Sequence, residues 1–461
     1  MQGGAIRVTG QGMDASTANY TDLIARSVEA NAGIWARQLR IATGGNDVSA
    51  DQAEVRKIAA SGDAPAFALD VGALGGMYSQ KIVLVGTEHG VGVRNAGTMG
   101  AQAGQLLVTA DGRLENLGTM QASSDTRIDA SGGLANAGTL SAGRELALDT
   151  PEDIDNRGGT LSARRIGVTA QSLTNREGVI GQTGPLNLAI HAGRLSNRDG
   201  GRIGLAAPRS GASSDNEQVP QAGAEGADGN GAQPDAELAS MPNGALKIAG
   251  MLDNNGGRIL AGGHIDLTAS GGLDNDGGHL GALQLEVSGG DFSNRQGEIR
   301  GAAGARIAAS LLSNDAGLMQ VHGPVSVSAQ DFSNRAGTFR NDSRSDTSIR
   351  INGRLDNSDG GLLVAGGDMT AIASVLDNRD GGLIVSTDGD LSVATRGHTG
   401  NAGGALRGGR ATSFWPTVDS AMPGAWCWAP ASQSIHDWRR STMPAGPSPP
   451  PAACSTSTAA R

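Results

Sequence analysis

Apolar and polar residues alternate with period two through most of this chain. Leu114, Asn116, Gly118, Met120 and Ala122 occupy alternate positions, and twenty residues later Leu134, Asn136, Gly138, Leu140 and Ala142 repeat them. Alternation at this period puts successive side chains on opposite faces of a β-strand. Recurrence with preserved parity lets the strands stack in register. The repeat marker is an apolar residue, a spacer, Asn, then Gly two to four residues on. It marks Asn95, Asn116, Asn136, Asn156, Asn175, Asn197, Asn254, Asn275, Asn294, Asn314, Asn334, Asn357 and Asn378. Successive spacings are 21, 20, 20, 19, 22, 57, 21, 19, 20, 20, 23 and 21, so one interval stands apart.

No apolar i, i+3, i+4 stripe runs between the markers, which sets leucine-rich repeats aside. Each repeat instead carries two short alternating runs, such as Thr119–Ala122 and Arg127–Ala130, joined by Gly, Asn, Asp and Ser. That is strand and turn chemistry. The pattern predicts an all-β chain, a right-handed parallel β-helix in which each repeat is one coil of a solenoid. At ~4.8 Å per stacked strand, the marked coils would extend roughly 60 Å. The asparagines have a structural and a functional reading. Asn tolerates left-handed turn conformations, and stacked carboxamides can bond along the axis as a ladder. A ligand-binding row is the alternative. The structural reading is preferred, because a ligand site is local and this feature recurs in every coil.

The flanks depart from the pattern. Residues 1–94 read as irregular coils, with strand-like runs at Ala5–Thr9, Leu39–Thr43, Ala66–Val71, Lys81–Val85 and Val91–Val93. Asn46–Pro65 is a polar excursion in which Gln52–Ala60 reads as a short helix. Residues 95–206 are regular repeats. Residues 207–242 hold six acidic residues and one basic one among Gly and Pro, which predicts a disordered loop. Excising about 35 residues turns the interval of 57 into one ordinary coil. The loop is therefore an excursion from a continuous shaft, and a candidate exposed interaction loop. Repeats resume over 243–406. Residues 407–461 read as a disordered tail: positions 411–461 hold four of the five Trp, both Cys and eight of the sixteen Pro. The abrupt change suits a frameshift, with a natural Pro-rich tail as the alternative.

Composition agrees with a narrow solenoid. Glycine numbers 73 of 461 residues and aromatics are 3%, poor material for a bulky globular core. The net charge is −10 without a sustained basic run, which argues against nucleic acid as a partner. Cys427 and Cys454 both lie in the tail, so the repeats have no disulfide framework. No apolar stretch is long enough for a membrane-spanning helix. The opening residues show no signal peptide.

Little else carries chemistry. β-Helical polysaccharide lyases and hydrolases need clustered charged side chains. Arg or Asp follows Asn197, Asn294, Asn334 and Asn378, but recurrence at turns points to solvated turn residues. The seven His have no paired metal spacing. The Gly10–Gly12 pair lacks a βαβ context, the nine-residue calcium repeat is absent, and so is Arg-Gly-Asp. No catalytic, cofactor or metal residue is expected.

The segments Ala18–Val48 (ANYTDLIARSVEANAGIWARQLRIATGGNDV) and Pro65–Ala101 (PAFALDVGALGGMYSQKIVLVGTEHGVGVRNAGTMGA) resemble the filamentous haemagglutinin family of bacterial exoproteins. With the repeats, the resemblance covers residues 1 to about 406. It implies a β-helical shaft just after an N-terminal secretion domain, exported to the cell surface through the outer-membrane transporter of two-partner secretion. The expected function is a structural shaft segment of a large secreted adhesin, non-enzymatic, facing a host or neighbouring-cell receptor that the sequence leaves unnamed. The alternatives are the stalk of a contact-dependent growth-inhibition toxin and a β-helical carbohydrate-active enzyme. Full-length members carry a signal peptide and secretion domain, so this chain reads as an internal piece of such an exoprotein.

Overall fold

The computed structural model describes residues 2–49, 54–184, 187–205, 243–416 and 426–428. These are strand, turn, bend and irregular segments, with no helix among them. They form two compact units, the first holding 2–205, 243–253 and 257–259, the second 254–256, 260–416 and 426–428.

In the first unit the chain winds as a parallel β-solenoid with three strands per coil. One coil is Leu114–Asn116, Thr119–Ala122 and Asp125–Ala130. Each strand pairs in parallel with its counterpart one coil on: Leu114 with Leu134, Met120 with Leu140, Ile128 with Leu148. The inward residues are those the alternation picks out. Leu114, Met120 and Leu140 are wholly buried, and Ile128 and Ala130 are nearly so. The second unit repeats the plan. Phe332 pairs with Leu355, Phe339 with Leu363 and Ile349 with Ala371. Burying one Leu-sized side chain per face per coil contributes about 2 kcal/mol each, which a chain this poor in aromatics can still supply.

Three strands, not two runs, make a coil. The sequence reading ran the marker residues Leu114 and Asn116 on into Met120 and Ala122 as one alternating stretch, whereas the structure breaks it at Leu117–Gly118 into two strands.

The first 94 residues wind in the same way. Strands at Ala5–Val8, Gln38–Thr43, Phe67–Val71, Lys81–Gly86 and Gly92–Asn95 fall on the predicted runs. Thr21–Ala25, Ser27–Ala30, Gly33–Ala36 and Gly76–Ser79 complete the coils. The excursion corrects one expectation. Val55–Lys57 is a strand, antiparallel to Asn46–Val48, where a short helix was expected over Gln52–Ala60. Cross-strand pairing decides a three-residue segment whose own helix preference is weak, since a single helical turn is costly to nucleate. Residues 50–53 lie outside the described part.

The acidic stretch 207–242 also lies outside it. Its flanks do not: Leu188–Ala192 pairs directly with Gly244–Ile248, and Leu195 with Leu252, all within the first unit. One coil therefore stacks on the next across the long interval. At the other end, strands continue past residue 406. Thr412–Pro416 pairs with Leu391–Thr395, and Trp426–Trp428 with Ala405–Arg407. That corrects the expected onset of the tail, because backbone pairing holds a strand whatever side chains it bears. Residues 417–425 and 429–461 are outside the described part.

Candidate functional site

The marker asparagines are the most regular chemical feature of the chain. Asn95, Asn116 and Asn136 end a strand and the other ten directly follow one, at the corner before the next face, and all thirteen are buried. A buried carboxamide is costly unless its donors and acceptor are paired. Asn116 shows how the pairing works. Its Nδ2 donates to Asn136 Oδ1 at 2.7 Å, to the Gly118 carbonyl of its own coil at 3.2 Å, and to the Thr139 carbonyl of the next coil at 3.1 Å. Its backbone carbonyl accepts from Ala137 and Gly138.

The same Nδ2-to-Oδ1 link joins Asn95, Asn116, Asn136, Asn156, Asn175 and Asn197 in the first unit at 2.7–2.8 Å. In the second it joins Asn254, Asn275, Asn294, Asn314, Asn334, Asn357, Asn378 and Asn401 at 2.6–2.8 Å. Asn401 extends the series by one beyond the thirteen. Its signal in the sequence is the Asn-x-Gly-Gly of Asn401–Gly404, 23 residues after Asn378. Below Asn95 the corresponding residue is Val71, which has no donor to offer, and Asn95 Oδ1 is left without a hydrogen-bond partner.

Charged residues flank this corner. Arg157 grips Asp155 with its Nε and Nη2, the latter at 2.6 Å. Arg176 Nε meets Asp199 at 2.7 Å, and Arg198 Nη1 meets Asp253 at 3.5 Å. Together Arg157, Thr174, Arg176, Ser196, Arg198 and Asp199 line an open groove of about 490 Å³ over three successive coils. In the second unit, Arg379 and Arg354 both reach the almost buried carboxylate of Asp377 at 2.6 Å. The hydrogen bond from Arg379, opposed by burial, holds the Asp377 carboxyl below the ordinary range. Arg157 does the same for Asp155. A general acid of glycoside hydrolysis needs the opposite, a carboxyl raised until it keeps its proton near neutrality. The charges that cluster here are engaged with one another.

Other polar groups are also paired. Arg26 lies against Glu88 at 2.7 Å with both side chains largely buried, and donates to the Ser61 carbonyl at 2.7 Å. That pair joins residues 62 apart and left no trace in the sequence pattern. His89 is exposed and lies 3.2 Å from Asp111, and His279 lies 2.8 Å from Glu298. Among the described residues, no three His, Cys, Asp or Glu converge in a metal-ligand arrangement.

Comparison with known proteins adds a family dimension. Residues 1–116 match the TPS secretion domain. Residues 117–199, 227–277, 280–359 and 337–421 match the haemagglutinin repeat. The secretion-domain match falls on residues that the sequence reading placed downstream of such a domain. Among curated proteins, the chain is 50% identical over 127 residues to the toxin CdiA of Yersinia pestis, covering 27% of this chain and 4% of that protein. It is 44% identical over 120 residues to the tRNA nuclease CdiA-2 of Burkholderia pseudomallei, covering 26% and 4%. It is 37% identical over 123 residues to the 16S rRNA endonuclease CdiA of Enterobacter cloacae, covering 27% and 4%. The aligned part is thus a small fraction of each relative's length. No solved structure matches.

Proposed function

This chain belongs to the haemagglutinin-repeat family, and from that premise we propose that it is a shaft segment of a large exported bacterial surface protein, whose task is display rather than catalysis. The observation that carries this reading is the uniform corner. From Asn95 onward, a buried asparagine at this corner bonds the asparagine of the next coil and reaches the backbone of both coils, as Asn116 does. A solenoid built from such coils gains stability from each nearest-neighbour interface and can hold a distal element away from the cell. On this reading the asparagines serve stacking rather than ligand binding, in keeping with their burial.

Residues 1–116, which match the secretion domain, would engage an outer-membrane transporter of the two-partner type. Adhesion to a host or neighbouring cell is the first reading of what the shaft displays. The second is a toxin stalk, favoured by the three relatives, which are named as a toxin and two nucleases. In that case the activity resides beyond the repeats.

The test is to express the full chain, behind a signal peptide, with and without a two-partner transporter. Surface exposure is read by protease shaving of intact cells. Transporter-dependent appearance at the surface is expected, and retention inside the cell in both strains would overturn the proposal. Displaying cells are then scored for attachment to epithelial cells and to bacteria. Attachment above the non-displaying strain supports the adhesive reading. Its absence, together with growth inhibition by a longer in-frame relative, supports the stalk.

A further inference from the structure

The chain has two tyrosines and, among the described residues outside its last strands, one tryptophan. Two of these three, Trp35 and Tyr78, sit side by side on the outer surface. They are direct partners in the parallel pairing of Gly33–Ala36 with Gly76–Ser79. Their ring centroids are 6.1 Å apart and their planes only 18° from parallel.

Glycines explain how the rings lie. The Trp35 ring folds back over Gly33, and the Tyr78 ring over Gly76, each the residue two positions earlier on its own strand. A Cβ on Gly33 would stand 2.3 Å from the indole, and one on Gly76 2.8 Å from the phenol. Gly76 points outward by register, yet it is buried. The rings are therefore laid along the sheet as one apolar shelf, and Trp35 keeps 41% of its surface in water.

The borders of the shelf are polar. The pairing places Asp14 one coil before Trp35, and Gly100 then Gln121 after Tyr78. A Cβ at Gly100 would touch the Gln121 carboxamide and the Tyr78 ring at 3.8 Å, so the amide reaches towards the phenol across a residue without a side chain. Asp14 is exposed and accepts from the Ser16 amide at 3.0 Å.

We propose that the Trp35–Tyr78 shelf, bordered by Asp14 and Gln121, binds a neutral saccharide, with the apolar face of a pyranose on the rings and its hydroxyls on the carboxylate and carboxamide. Three features select this ligand class. Near-parallel rings cannot surround a quaternary ammonium as a cage does. Two rings with polar residues at both ends form too small an apolar patch for a protein hot spot, which needs a desolvated surround. An apolar face with a hydrogen-bonding rim is what a pyranose presents, and a site of apolar rings with a few placed polar groups is its complement. The proposal is independent of whether the shaft serves adhesion or a toxin.

The test is isothermal titration of the purified full chain with cellohexaose, chitohexaose and laminarihexaose. Binding to at least one is expected. Trp35→Ala and Tyr78→Ala should each weaken it tenfold or more. Trp35→Leu keeps Gly33 covered but removes the flat ring, and should weaken it similarly, whereas Gln121→Ala should cost about threefold. Thermal melts identify any variant that fails to fold, in which case Trp35→Leu and Gln121→Ala decide. No binding to any of the three sugars, or wild-type affinity in Trp35→Leu, would overturn the proposal.

Discussion

At the scale of single residues, the corner asparagine acts through both ends of its carboxamide. Replacing Asn136 with Ala leaves Asn116 Nδ2 without its Oδ1 acceptor and Asn156 Oδ1 without its donor. Asn116 keeps its bonds to the Gly118 and Thr139 carbonyls, so the orphaned buried group is Asn156 Oδ1, and the change should cost about 1–3 kcal/mol, read as a lower denaturant midpoint. Asn136→Asp separates the two ends. A carboxylate still accepts from Asn116 but has no proton for Asn156 Oδ1. Burial raises the folded-state pKa of such an acid above its unfolded value of about 3.9. The destabilisation is then greatest at neutral pH and fades as pH falls through the folded pKa, where the protonated acid can donate. Equal destabilisation at pH 4.5 and pH 7.5 would contradict the ladder account. Asp377 has the opposite sign. Its depressed pKa means that its contribution is present above the unfolded value and lost as pH falls below it. Asp377→Asn should cost about 1 kcal/mol at pH 7, since both arginine partners are half exposed, and progressively less as pH falls below the unfolded value towards the lower folded one. The sequence marked these asparagines by spacing alone. It did not reveal Arg26 with Glu88, nor that Arg354 and Arg379 share Asp377, because ion pairs between coils depend on which outward positions the register aligns.

At the scale of the coil element, glycines that look alike in sequence divide into two kinds. Gly138 faces the chain below: a Cβ there would stand 2.0 Å from the Gly118 carbonyl oxygen. Gly158 has φ of +66° with open space around it. Elsewhere the same turn position is filled by Glu177, Gln296, Ala316 and Ala336 with φ of 52–55°. Gly138→Ala should therefore disrupt stacking by about 3 kcal/mol or more, as overpacking against backbone does. Gly158→Asn should change stability by no more than about 0.5 kcal/mol, since Asn adopts the left-handed region readily. Paired thermal melts of the two variants give the comparison. Alternation made the strand over Thr119–Ala122 legible, and the run Arg127–Ala130 gave the core of the longer one over Asp125–Ala130. The break between Leu114–Asn116 and Thr119–Ala122 was hidden, because the alternation keeps its parity across the bend at Leu117–Gly118.

At the scale of the whole molecule, each unit is a series of near-identical interfaces. Residues 188–192 pair with 244–248 across the acidic stretch. Exchanging residues 207–242 for a Gly-Ser link of about four residues should leave the unfolding midpoint within about 1 kcal/mol of the wild type, since loop length enters closure entropy only logarithmically. Loss of cooperative unfolding in that variant would show that the stretch takes part in the stack.

The sequence by itself determined the fold class, the coil length, the inward residues and the place of every asparagine from Asn95 to Asn378. Periodicity is a local property, and a repeat with preserved parity admits one way of burying its apolar face. Only the tertiary structure decided the rest. It placed the third strand of each coil, made a strand of Val55–Lys57, carried pairing on to Trp426–Trp428 and laid Trp35 beside Tyr78. Those outcomes follow from which residues come to lie one coil apart, tens of positions away along the chain, and no local pattern records that register.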